Sequence, residues 1–209
     1  MKHIWYQNKE VTPSKIVCIG RNYVEHIKEL NNEIPKKPVI FIKPNSAVSP
    51  TLYYFSPKCR FEGELCFLIE NQKFLAVGFG FDLTKADEQE EAKAKGLPWE
   101  RAKGFNASAV FSEFVKLDRG IQKLRFELMQ NGKLVQSGGY DLMMNKPEQI
   151  LKSVSEFMEF EDGDILMSGT PKGVGNYNVD DTFVAKVYDD AKLLLECSFV
   201  AKPYPKSVQ

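Results

Sequence analysis

The sequence predicts a β-rich α+β domain. Three observations carry that prediction: many short apolar runs of strand length, turn residues that fold neighbouring runs into hairpins, and few segments with helical spacing. A regular alternation of strands with helices, the mark of a parallel βαβ sheet, is absent. With 209 residues the chain can bury a substantial core in one domain. No internal repeat, low-complexity tract or linker divides it, so a single domain is expected over residues 1–209, with its core between about 15 and 200.

Taken in order, residues 15–20 (Lys-Ile-Val-Cys-Ile-Gly) read as a strand, and residues 39–42 as another, closed by Lys43-Pro44-Asn45. Residues 61–69 are apolar, partly aromatic and free of proline, which suits a strand. Side chains alternate along a strand, so Glu62, Glu64, Cys66 and Leu68 share one face and Leu65, Phe67 and Ile69 the other. Apolar residues on both faces predict burial on both sides. Val77-Gly78-Phe79-Gly80-Phe81-Asp82 is a second apolar run, whose glycines permit close approach of other backbone. Thr84-Lys85-Ala86-Asp87 then has the form of a capping box, residues 88–95 are good helix formers, and Gly96 is a stop followed by Pro98. Residues 124–129 and 133–136 flank Asn131-Gly132, a hairpin signal. A helix begins near Pro147, with Ile150, Val154, Phe157 and Met158 as its core stripe. Residues 164–167 form a strand leading into the glycine-rich loop 168–175. Residues 182–188 and 192–200 form a final hairpin across Asp189-Asp190-Ala191.

Lys+Arg and Asp+Glu both number 28, so the net charge is zero. Without a basic excess or polybasic run, neither nucleic acid nor a lipid surface is an expected partner. Cys18, Cys59, Cys66 and Cys197 are far apart and form no CxxC pair, so free thiols are expected rather than disulfides or a zinc site. The N-terminus lacks a signal-peptide core and no apolar run reaches membrane-spanning length. Together these place the protein in a reducing cytoplasm.

Three groups of residues carry chemistry. Glu62 and Glu64 on one face of a buried strand need a cation nearby, and hard oxygen ligands suit Mg²⁺, Mn²⁺ or Ca²⁺. Asp82, at the end of the next apolar run, would complete a three-carboxylate site if the two strands are neighbours. The plain alternatives are an edge strand with its glutamates in water and a turn aspartate. His26 and Glu29, three residues apart, share one face if this short piece is helical, and the carboxylate can then orient the imidazole and raise its basicity. A surface pairing is the plain alternative there. The polar, proline-broken stretch that follows makes residues 26–37 a candidate lid. Ser168-Gly169-Thr170-Pro171-Lys172-Gly173-Val174-Gly175 could bring backbone N–H groups to an anion. It lacks phosphate-loop spacing and a following helix, so a small carboxylate is the better fit, with a structural turn as the alternative.

Gly20-Arg21-Asn22-Tyr23, His26-x-x-Glu29, Glu62-x-Glu64, Phe81-Asp82-Leu83-Thr84, Gly96-Leu97-Pro98-Trp99 with Lys103, and the 168–175 loop occur in this order. Together they resemble the fumarylacetoacetate hydrolase family, and within it the short single-domain acylpyruvase, or fumarylpyruvate hydrolase-like, branch. The resemblance covers roughly residues 15 to 200. It implies a single catalytic domain folded as a mixed β-sheet roll with a few short helices, and a homodimer. It implies that Glu62, Glu64 and Asp82 hold Mg²⁺ or Mn²⁺, with Ca²⁺ as a substitute. It implies that His26, oriented by Glu29, activates water, that Lys103 stabilises a pyruvate enolate, and that Arg21, Gln89 and Thr170 line the pocket of a small oxo-acid substrate. One departure stands out. Family members often carry arginine two residues after the threonine of Asp-x-Thr, where this chain has Ala86 with Lys85 beside it. The metal ligands are untouched, but substrate choice is affected.

The leading expectation is a metal-dependent hydrolase that cleaves the C–C bond of a 2,4-dioxo acid of the acylpyruvate or fumarylpyruvate type. The alternatives are an oxaloacetate decarboxylase or a 2-hydroxy-diene-dioate isomerase or hydratase of the same family, and a non-catalytic protein that binds dicarboxylates or metal.

Overall fold

The computed structural model describes residues 1–25, 35 and 37–205. His26, Glu29 and all but two residues of the candidate lid lie outside the described residues.

The chain opens with a hairpin of β1 (Ile4–Tyr6) and β2 (Lys9–Val11), strands too short for patterning to reveal. β3 (Lys15–Gly20) pairs antiparallel with β4 (Val39–Pro44), and the short β5 (Val48–Ser49) and β6 (Tyr53–Tyr54) follow. β7 (Cys59–Phe61) leads into the long hairpin of β8 (Gly63–Glu70) and β9 (Lys73–Asp82). After β10 (Thr84–Lys85) come the helices α1 (Ala86–Lys95) and α2 (Glu100–Lys103), then β11 (Ala109–Phe111) and β12 (Val115–Lys116). β13 (Leu124–Gln130) and β14 (Lys133–Gly139) turn on Asn131 and Gly132. Both turn residues have positive φ, 50° and 77°, as the two-residue hairpin turn requires. α3 (Pro147–Ser155), β15 (Ile165–Met167), β16 (Gly175–Asn176), the hairpin of β17 (Thr182–Asp189) with β18 (Lys192–Val200), and β19 (Lys202–Pro203) complete the chain.

Eight strands form a curled mixed sheet in the order β4-β3-β15-β8-β9-β11-β5, with β12 added to β9. The β15–β3 and β11–β5 pairs are parallel and the others antiparallel. A four-stranded antiparallel sheet, β14-β13-β17-β18, stacks on one face. Aromatic rings join the two: Phe79 lies 5.5 Å from Phe126, and Phe81 lies 5.2 Å from both Phe183 and Phe199. Each fully buried phenylalanine contributes about 1.5–3 kcal/mol. On the other face, Cys66, Leu68, Ile165 and Met167 join Phe111, Phe114 and Ile4 in a second core. The central strand β8 is therefore covered on both sides, as its composition predicts. All four cysteines are free, three of them buried. No helix among the described residues is long and apolar enough to cross a membrane.

Three local expectations need correction. Thr84 does not cap α1. It sits in β10, and its hydroxyl donates to Glu62 Oε1 at 2.7 Å, while Lys85 is the cap residue and makes no side-chain cap. Phe157 lies beyond the end of α3 and is 63% exposed, so the stripe of that helix is Ile150 and Val154, with Met158 partly buried against it. Glu62 is not within the strand that carries Glu64; it occupies the junction between β7 and β8.

Candidate metal centre

The β8–β9 register brings the acids together. Glu64 pairs with Gly80 and Gly63 with Phe81, so the next position back, Glu62, meets Asp82, whose N–H donates to the Glu62 carbonyl at 2.9 Å. The result is a cluster in which Glu62, Glu64 and Asp82 each offer an oxygen within 4.8 Å of the others. Glu64 and Asp82 are buried, and the Glu62 side chain is 15% exposed, which marks the open side. Three hard oxygen donors at this separation fit a divalent cation such as Mg²⁺ or Mn²⁺ that keeps its other positions for water or substrate oxygens.

Two lysines balance the cluster. Lys103, from the last turn of α2, places Nζ 2.6 Å from Asp82 Oδ2 and 3.1 Å from Glu62 Oε2. Burial works against its charge, but the two carboxylates outweigh it and hold Lys103 well above the ordinary lysine range. Lys43, at the end of β4, is 0% exposed. Its Nζ stands 2.7 Å from Asp82 Oδ1 and donates to the carbonyls of Leu83 at 3.2 Å, Ser108 at 3.1 Å and Lys103, and to Ser108 Oγ at 3.1 Å. Burial pushes Asp82 up, yet Lys103 and Lys43 together pull it below its usual value. Glu64 behaves in the opposite way. Burial, then Asp82 and Glu62, raise its carboxyl well above the usual range, against the Gly169 N–H and Lys103.

The 168–175 loop does bring an N–H to a carboxylate, but the carboxylate is the protein's own. Gly169 N donates to Glu64 Oε2 at 2.7 Å. Gly169 has φ 90°, and a Cβ there would stand 2.7 Å from Asn22 Cβ, so only glycine fits. Asn22 anchors this loop by donating to the Ser168 carbonyl at 2.8 Å. Thr170 Oγ1 donates to the Gly63 carbonyl at 3.0 Å and accepts from Gln136 Nε2 at 2.8 Å, so its hydroxyl holds the loop against β8. Arg21 adopts φ 56°, and among the described residues its buried Nε has no hydrogen-bond partner. Gln89, on α1, accepts from Lys93 Nζ at 3.2 Å. Lys85 does not turn toward the cluster: its ammonium stands 3.3 Å from Glu88 and 4.8 Å from the centroid of the Phe105 ring.

Sequence reading missed Lys43, Ser108 and Lys93. Lys43 had one visible signal, a lysine directly following Val-Ile-Phe-Ile. A charge in such a run is either a strand end or a buried ion-pair partner, and only the fold distinguishes the two.

The chain is similar to proteins of known activity. It is 36% identical over 194 residues to the mitochondrial oxaloacetate tautomerase oaa1 of Schizosaccharomyces pombe, a match covering 83% of this chain and 88% of the relative. It is 34% identical over 191 residues to the mitochondrial oxaloacetate tautomerase FAHD1 of Bos taurus, covering 83% and 86%. A crystal structure of a fumarylacetoacetate isomerase/hydrolase-type protein from Oleispira antarctica superposes with a TM-score of 0.90 at 33% identity, over 96% of this chain and 100% of that one. The model of the fumarylacetoacetate (FAA) hydrolase C-terminal region matches residues 15–74 and 75–196. On this match and these relatives, the chain belongs to the fumarylacetoacetate hydrolase family.

Proposed function

We propose that this protein is a divalent-metal-dependent enzyme that interconverts the enol and keto forms of oxaloacetate. One observation carries the reading: the Glu62–Glu64–Asp82 cluster with Lys103 against it lies in a chain 36% identical to an oxaloacetate tautomerase. Among the expectations from sequence, the relatives favour oxaloacetate over C–C bond hydrolysis. The His26-x-x-Glu29 pair keeps hydrolysis of an acylpyruvate as a second reading, since that reaction needs an activated water.

When bound, Mg²⁺ or Mn²⁺ would supply an electrophile at the substrate's 2-oxo oxygen. The chain's own residues do the rest. Ketonisation moves one proton from the 2-hydroxyl to C3, with no other change in composition. Lys103, held by Asp82 and Glu62, keeps a permanent positive charge beside the position where enolate charge develops. His26, oriented by Glu29, is the proposed proton carrier to and from C3. Arg21 and Gln89 are the proposed contacts to substrate, and Thr170 holds the loop that fixes Glu64. A homodimer and a reducing compartment are further proposals. The second rests on the free thiols, whereas the Schizosaccharomyces pombe and Bos taurus relatives are named as mitochondrial.

The test is a panel of oxaloacetate and acylpyruvates with Mg²⁺ or Mn²⁺, following enol absorbance, CO₂ and pyruvate separately. Loss of the oxaloacetate enol should be accelerated well beyond CO₂ release. Efficient acylpyruvate cleavage with no acceleration of tautomerisation would overturn the reading. His26→Ala should slow ketonisation by roughly 10²–10⁴-fold, the usual loss for a positioned acid–base group. A variant within a few-fold of the parent would place the proton carrier elsewhere.

A further inference from the structure

α1 presents Ala86, Gln89 and Lys93 at intervals of three and four residues, hence on one helical face. Lys93 Nζ donates to Gln89 Oε1 at 3.2 Å and stands 5.4 Å from the centroid of the Trp99 ring. Trp99 lies 5.9 Å from Phe41, whose ring in turn sits 5.0 Å from Lys103 Nζ. A wall of two aromatic rings therefore runs from Lys103, at the carboxylate cluster, to Lys93. Phe41, Trp99 and Lys103, with Glu100, also border a cavity of about 420 Å³ along this wall. Trp99 packs over Gly20, where a Cβ would stand 3.8 Å from Trp99 Cζ3. The next residue is Arg21, in a left-handed conformation that is costly for a side chain of this kind, with its buried Nε unpartnered among the described residues.

Among the described residues, Lys93 has no carboxylate partner of its own. Of those residues, the acids that act most on its charge are Glu62 and Glu90. Glu62 is held by Thr84 and Lys103, and Glu90 faces Arg60 at 3.7 Å. Its cationic neighbours are Arg21 and Lys103. Desolvation and the Arg21 charge hold the Lys93 ammonium below the ordinary lysine range, although the residue reaches solvent. Lys103 is already matched by Asp82 and Glu62, which leaves Lys93 and Arg21 as the two cations able to receive a mobile anion.

We propose that Lys93 and Arg21 form an anion clamp at the outer end of this site, which selects oxo acids carrying a second carboxylate. With its first carboxylate and 2-oxo group at the acidic cluster, a four-carbon diacid directs its other carboxylate along the aromatic wall toward Lys93. A monocarboxylic analogue leaves the clamp empty. The proposal rests on the oxo-acid reading above, and its test separates the two.

Malate and lactate are stable 2-hydroxy acids that differ by one carboxylate. Both are titrated by calorimetry, with Mg²⁺ present, into the parent protein, Lys93→Gln and Lys93→Arg. The parent should bind malate at least about tenfold more tightly than lactate, the effect of one charge-assisted hydrogen bond. Lys93→Gln should reduce that ratio to within about threefold, and Lys93→Arg should retain most of it. A merely structural role would weaken both ligands alike and leave the ratio in place. A parent without preference for malate, or a Lys93→Gln ratio equal to the parent's, overturns the clamp. Oxaloacetate turnover is scored separately. A parent that prefers malate but does not tautomerise oxaloacetate overturns the proposed function and leaves the clamp standing. A parent that turns over oxaloacetate, with an unaltered ratio in Lys93→Gln, overturns the clamp alone.

Discussion

Glu64→Gln is expected to abolish turnover and, in chelator, to make the protein more stable at neutral pH. The two effects share one cause. Glu64 is 1% exposed, and burial with Asp82 and Glu62 beside it raises its carboxyl well above the usual range. A carboxyl raised in the folded state contributes stability that is fully present below the unfolded value, 4.5, and is lost as pH rises through the folded value. Asp82 has the opposite sign. Despite burial it is pulled below 3.8 by Lys103 and Lys43, so its contribution is present above that value and is lost as pH falls. The metal-free protein should therefore lose thermal stability as pH rises above 4.5, through Glu64. Glutamine keeps an acceptor for the Gly169 N–H and removes the charge, so the slope should flatten. Mg²⁺ should restore the parent at high pH and do little for the variant. Activity should fall by about 10³-fold or more, since loss of a ligand forfeits several kcal/mol of charge stabilisation. Melting curves in chelator that are parallel for parent and variant across this range would refute the electrostatic account.

Lys43→Met should have the largest effect on stability. The substitution keeps the apolar stem of a side chain that is fully buried and removes its ammonium. Asp82 Oδ1 then loses its counterion, and the carbonyls of Leu83, Lys103 and Ser108 lose a donor in a dry place. Breaking a buried pair from one side costs about 3–5 kcal/mol, a large part of the roughly 5–15 kcal/mol that holds a typical domain together. Urea denaturation in chelator measures it, and a loss below about 1 kcal/mol would mean that the Lys43–Asp82 pair is dispensable. Ser108→Ala removes one acceptor of Lys43, and the 2.7 Å bond from Ser108 Oγ to the Lys103 carbonyl, and should cost only about 0.5–1.5 kcal/mol.

What the sequence determined by itself was local. Alternation in residues 61–69 predicted a strand covered on both faces, and β8 is covered on one by the second sheet and on the other by the Ile4–Phe114 core. Asn131-Gly132 predicted its hairpin because asparagine and glycine accept positive φ in succession at little cost. Gly96 predicted the end of α1 for the same reason, and it adopts φ 63° there. The acids were recognisable as ligand types, but their meeting depended on the register of β8 against β9, which spacing does not encode. Thr84 shows a local rule losing to a tertiary one. Its hydroxyl fits a helix cap on paper, but pairing with the strand at Arg60 draws Thr84 into β10, where the hydroxyl donates to the Glu62 carboxylate. Lys43 shows the same limit more sharply. As a sequence feature it reads as the polar end of a strand, and its partners at Lys103 and Ser108 lie 60 and 65 residues away. Periodicity and turn chemistry act over a few residues. Which charge neutralises which, at the centre of this site, is decided by strands and helices that meet only after the chain has folded.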